Sequence, residues 1–85
     1  MSLADRSGRI NHGSSVPVAV QVAADIEADI DSGALPRDTR LPSEAELSVQ
    51  YGVARMTVRR AVAQLRDKGL VVTVHGRGSF VAPDA

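Results

Sequence analysis

The run SEAELSVQYGVARMTVRRAVAQLRDKG, from Ser43 to Gly69, starts a helix, stops it and starts another within a single short motif. Ser43 with Glu46 is a capping box: the serine hydroxyl accepts the N–H of the third helical residue, and the glutamate carboxylate accepts the serine N–H. The helix begun there runs through Leu47, Val49 and Gln50 to Tyr51, and Gly52 supplies a left-handed stop. Within a few residues Val58, Ala61, Val62 and Leu65 fall at i, i+3, i+4 and i+7, the stripe of an amphipathic helix that Gly69 closes. Two short helices joined by a glycine turn make a helix-turn-helix, an outline that ordinary helical hairpins share.

The flanks resolve that ambiguity. Upstream, Pro17 suits a first helical position, and Val18, Val22, Ala23, Ile26 and Ile30 follow at helical spacing up to Gly33, with Gln21, Asp25, Asp29 and Asp31 facing away. The stretch ALPRDTRLP is a connector in which Arg40-Leu41 lends one short edge strand before Pro42 ends it. Downstream, Leu70 to His75 is rich in β-branched residues, Gly76-Arg77-Gly78 is a turn, and Ser79 to Ala82 is a second strand. The expected fold is mainly α with a small β-hairpin wing: a winged helix-turn-helix of three helices and two to three short antiparallel strands, over residues 16–82. Residues 1–15, MSLADRSGRINHGSS, show no hydrophobic period and read as a flexible N-terminal arm with Arg6 and Arg9 in solvent, and residues 83–85 read as a tail.

An 85-residue chain buries about 60% of the surface its unfolded form exposes, which leaves a thin core and no room for a deep pocket. Cysteine is absent, so disulfides and thiolate metal sites are excluded. No apolar run nears the roughly 18 residues that cross a bilayer, and no signal-peptide pattern opens the chain, so the expectation is a cytoplasmic protein without membrane contact. The two histidines, His12 and His75, have no ligand partners at metal-site spacing, the Gly76-Arg77-Gly78 turn is not followed by a phosphate-loop helix, and no serine sits in a GxSxG elbow. No enzyme activity, metal or cofactor is expected.

Ten basic and ten acidic residues cancel, but they are segregated. From Gln21 to Gln50 seven acids face two bases; from Tyr51 to Gly78 six bases face Asp67 alone. Such a split suits a protein that turns one face to a polyanion. On the third helix Arg59, Arg60, Ala63 and Gln64 lie away from the apolar stripe, and Met56 and Thr57 join that outer face at its start. Arg55 and Arg59 form a like-charge i, i+4 pair that costs roughly 0.2–0.5 kcal/mol. Arg55 also faces the positive end of the helix dipole, and Ala54 offers no capping oxygen. Nucleic-acid phosphate would supply the missing counter-charge, and an arginine fork can bond guanine O6 and N7 together. At the wing, His75-Gly76-Arg77 lets a backbone without Cβ approach DNA, with Arg77 placed for a narrow minor groove.

The run from LPSEAEL through YGVARMTVRRAVAQLRDKGLV to VHGRGSFVA, preceded by VPVAVQVAADIEADIDSGALPRDTRLP, resembles the N-terminal DNA-binding domain of GntR-family bacterial transcription regulators over residues 16–82. The resemblance implies a third helix in the major groove, a wing tip at the flanking minor groove, and pairs of domains, such as a homodimer, on a palindromic operator. It implies DNA-contacting roles for Arg55, Arg59, Thr57 and the wing tip around Gly76, and matches Ser43 and Glu44 to the start of the second helix. Ala45 and Ala54 depart from the family, which often has arginine and Ser or Thr there. The family's C-terminal effector domain has no counterpart after Ala82, so no small-molecule effector is expected within this chain. The expected function is sequence-specific binding of double-stranded DNA as a regulator, with repression the expected sense. The rival reading is a winged helix that binds protein without specific DNA binding.

Overall fold

The structure, a computed structural model, describes residues 3–85. A 3-10 turn at Ser7–Arg9 precedes α1 (Val18–Ser32), α2 (Glu44–Tyr51), α3 (Arg55–Asp67) and the antiparallel strands β1 (Val71–Val74) and β2 (Gly78–Val81). No helix among the described residues is long and apolar enough to cross a membrane. Helices α1 and α2 both pack on α3, whose Val58, Ala61 and Leu65 are fully buried. Val22, Ala23 and Ile26 of α1, Leu47 and Tyr51 of α2, and Leu41 and Val71 complete one core.

Local chemistry sets the element ends. Ser43 Oγ accepts the Glu46 N–H at 3.1 Å while Glu46 Oε1 accepts the Ser43 N–H at 3.0 Å, so the capping box forms in full. Those bonds to Ser43 hold the Glu46 carboxyl below its ordinary range. Gly33 and Gly52 end α1 and α2 with φ of 84° and 64°, a region closed to most side chains. Pro17 is the N-cap rather than the first helical residue, because its ψ of 143° is extended and the helix begins at Val18. Gly78 pairs with Val74 and so belongs to β2 rather than to the turn. The expected edge strand contracts to one bridge, Arg40 to Phe80, with Leu41 N–H donating to Ser79 O at 2.8 Å. Pro42, lacking an N–H, takes no further part in the ladder.

The reading of residues 1–15 as a flexible arm is corrected for residues 3–15; Met1 and Ser2 lie outside the described residues. Ile10 is buried in the core, and Arg6 N–H donates to Gln50 O at 2.7 Å. The Arg6 guanidinium donates through Nη1 to Asp25 Oδ2 (2.9 Å), Asp29 Oδ2 (2.5 Å) and Tyr51 Oη (3.1 Å), and Arg9 reaches Asp25 at 3.0 Å. Tyr51 Oη donates to Asp25 Oδ2 at 2.5 Å. Asp25 and Asp29, expected in water, are instead half-buried beneath these arginines. Ion pairing between distant segments leaves no periodic trace in sequence, which is why composition alone suggested no fold there.

Burial and the Asp25 hydrogen bond push the Tyr51 hydroxyl up to about 12. Burial opposes ionisation of Asp25, yet hydrogen bonds from Tyr51 and Arg9 outweigh it and hold the carboxyl below its usual 3.8. A depressed carboxylate contributes stability that is present above its unfolded pKa and lost as pH falls through the lower folded value. Acid titration of thermal stability will therefore show a loss below about pH 4 that is shallower in Asp25→Asn. Ser43→Ala removes one arm of the capping box and is expected to cost about 1 kcal/mol, read as a fall in Tm of roughly 4–8 °C.

Candidate nucleic-acid interface

With its stripe buried, α3 turns Arg55, Met56, Arg59 and Arg60 outward; Met56 is 51% exposed and Thr57 is half-buried. Gln64, expected in water, is half-buried as well. Ala54 makes no side-chain cap, so the first turn of α3 keeps free N–H groups beside Arg55. Arg55 and Arg60 form no ion pair among the described residues.

Arg59 differs. Its Nε donates to both Glu44 oxygens at 3.0 Å, with the two side chains 57% and 42% exposed. The expectation that nucleic acid alone relieves the Arg55–Arg59 repulsion is corrected for Arg59, which has an internal counter-charge. A pair this exposed is worth about 0–1 kcal/mol, comparable with the repulsion it offsets.

The turn at Gly52 folds the start of α2 beside α3, so Ser43, Glu44, Arg55 and Arg59 line one open groove. Ser43 Oγ is already the acceptor for the Glu46 N–H, which leaves its own O–H to donate outward. The far wall is the turn-side half of the hairpin ladder, with Thr73 and Gly78. There Arg66 Nη1 donates to Thr73 Oγ1 at 3.0 Å, and the Thr73 and Ser79 hydroxyls are hydrogen-bonded at 3.0 Å. His75, Gly76 and Arg77 are exposed at the wing tip, outside this groove. Arg77 N–H closes the turn onto Val74 O at 3.0 Å, and Gly76 takes a φ of 75°.

Two groove arginines were not assigned to the site from sequence. Arg40 stands in the acidic half of the chain and read as part of a connector, yet it lines the groove with Arg66. Its Nε lies 3.1 Å from where a Cβ on Gly78 would be, and Gly78 has a φ of 110°. Glycine at the turn end of β2 therefore supplies both the backbone angle and the space for the Arg40 guanidinium. The usable signal was positional: Arg40 precedes the capping serine by three residues, on the α1–α2 connector that bridges to the hairpin at Phe80.

Comparison with known proteins agrees with this architecture. The model of the family described as bacterial regulatory proteins, gntR family, matches residues 18–81. The HTH-type transcriptional repressor NagR of Bacillus subtilis is 41% identical over 73 residues, covering 86% of this chain and 30% of NagR. The histidine utilization repressor of Klebsiella aerogenes is 46% identical over 66 residues, covering 78% of this chain and 27% of that repressor. The chain thus spans less than a third of the length of these relatives. The AraR DNA-binding domain, solved in complex with operator ORX1, superposes with a TM-score of 0.80 at 37% identity, covering 86% of this chain and 92% of that one. With the helix-turn-helix, the wing and the arginine face in place, the chain belongs to the GntR family of bacterial regulatory proteins and has that family's winged-helix DNA-binding fold.

Proposed function

We propose that this domain binds operator DNA with α3 in the major groove and the wing tip at the adjoining minor groove, as the reading part of a transcriptional repressor. The outer face of α3 carries this reading: Arg55 and Arg60 are exposed and have no ion-pair partner among the described residues, on a helix whose other side is committed to the core. Arg55, at the start of α3, and Arg59 have the planar fork that matches guanine O6 and N7. Arg60, Thr57 and the Ser43 hydroxyl serve phosphate oxygens, and Met56 meets apolar base surface such as a thymine methyl. Arg40 and Arg66 flank the groove and add phosphate contacts beside the hairpin. His75, Gly76 and Arg77 address the minor groove, where Arg77 gains from the deeper negative potential of a narrow groove. Two copies on a palindromic operator, paired as a homodimer, would double this footprint.

Titration with duplex DNA at a series of salt concentrations tests the proposal. Log affinity is expected to fall with log salt at a slope of roughly −0.9 per neutralised phosphate. A flat response, or no binding to any duplex in a random pool, would favour a protein-binding winged helix instead. Arg55→Ala should lose about 1–3 kcal/mol of operator affinity and relax preference at one base position. Arg40→Ala should weaken all duplexes alike and make the salt slope shallower by about 1. Arg77→Ala is expected to weaken binding with an unchanged Tm, since its side chain is exposed and makes no hydrogen bond or ion pair among the described residues; a matching fall in Tm would assign it a structural role.

A further inference from the structure

We infer that Glu44 is a positioning residue for sequence readout, which rests on the DNA-binding reading above: it holds the Nε edge of Arg59 so that the two Nη groups face a base, and its charge keeps phosphate away from that guanidinium. A guanidinium offers five N–H donors along three edges, and a phosphate can grip any of them. In this structure both Glu44 oxygens occupy Nε at 3.0 Å, and neither Nη of Arg59 has a hydrogen-bond partner among the described residues. The pair is far from buried, so it is a surface arrangement facing the groove and not part of the core.

The surroundings give the carboxylate a second effect. Among the described residues Glu44 is the one acid lining a groove that also holds Arg40, Arg55, Arg59 and Arg66. A negative charge there weakens attraction for every phosphate, whatever the sequence. The fixed fork strengthens binding only where a guanine edge lies opposite. The repulsion lowers the affinity of every site alike, and the fixed fork, which gains only at the correct site, widens the gap between that site and all others. An acid in the first turn of α2 also suits that helix's dipole, but dipole stabilisation does not require a bond to Arg59.

The test uses the 85-residue chain, a duplex selected by the unmodified chain from a random pool, and a shuffled duplex of the same composition. Glu44→Ala is expected to bind the shuffled duplex about twofold more tightly at low salt. Its ratio of selected to shuffled affinity should fall by about tenfold. Glu44→Gln, which keeps one acceptor for Nε without the charge, should gain the same non-specific affinity while retaining part of the ratio. In the Arg59→Ala background, Glu44→Ala should change the ratio no further. An unchanged ratio in Glu44→Ala, or an equal loss on both duplexes, would overturn the assignment. Loss of selectivity in Arg55→Ala but not in Arg59→Ala would remove the Arg59–Glu44 device while leaving the DNA-binding reading intact; absence of salt-dependent binding by the unmodified chain would remove both.

Discussion

Burial of one stripe on α3 governs the rest of the structure. A helix packed on its neighbours retains one consequential freedom, rotation about its own axis, and Val58, Ala61 and Leu65 remove it by leaving no exposed surface. Each fully buried Val or Leu contributes about 1.5–3 kcal/mol, whereas the Arg55–Arg59 repulsion costs about 0.5 at most. Apolar burial therefore decides the rotation, and the arginines are displayed as its consequence. The same stripe receives α1 from one side and α2 from another, so the recognition surface and the core are two faces of one element.

Charge is arranged in two tiers around that core. Part of the acidic character of α1 is consumed internally: Asp25 and Asp29 hold Arg6 and Arg9, and Glu27 holds Lys68 at 2.8 Å. The groove between α2, α3 and the hairpin stays cationic, moderated by Glu44. A formal net charge of zero is thus compatible with a strongly directional field, because the anions lie largely where they bind their own chain. The N-terminal segment takes part in this division, since its arginines neutralise the acids of α1 and Ile10 enters the core.

How much was legible depended on the range of the interaction that carries each feature. The capping box, the glycine stops at Gly33 and Gly52, and the apolar periods of α1 and α3 are contacts between residues a few positions apart, and the structure reproduces them with shifts of a residue or so at Pro17 and Gly78. The arginine face of α3 followed directly from its period. Arg40 against Gly78, the Glu44–Arg59 bond and the Arg6 cluster join residues 15 to 45 positions apart, and no local pattern announces them.

The amino-acid order by itself determined that three helices and a hairpin would form, where they would stop, and which side of α3 would face solvent, because caps, left-handed glycines and hydrophobic period act within a turn or two of chain. Tertiary packing alone decided which charges would meet. It turned Arg6 and Arg9 into struts for α1, gave Arg59 its acidic neighbour and brought Arg40 against Gly78. Electrostatic partners are chosen by distance in space, and that distance exists only once the apolar stripes have been buried.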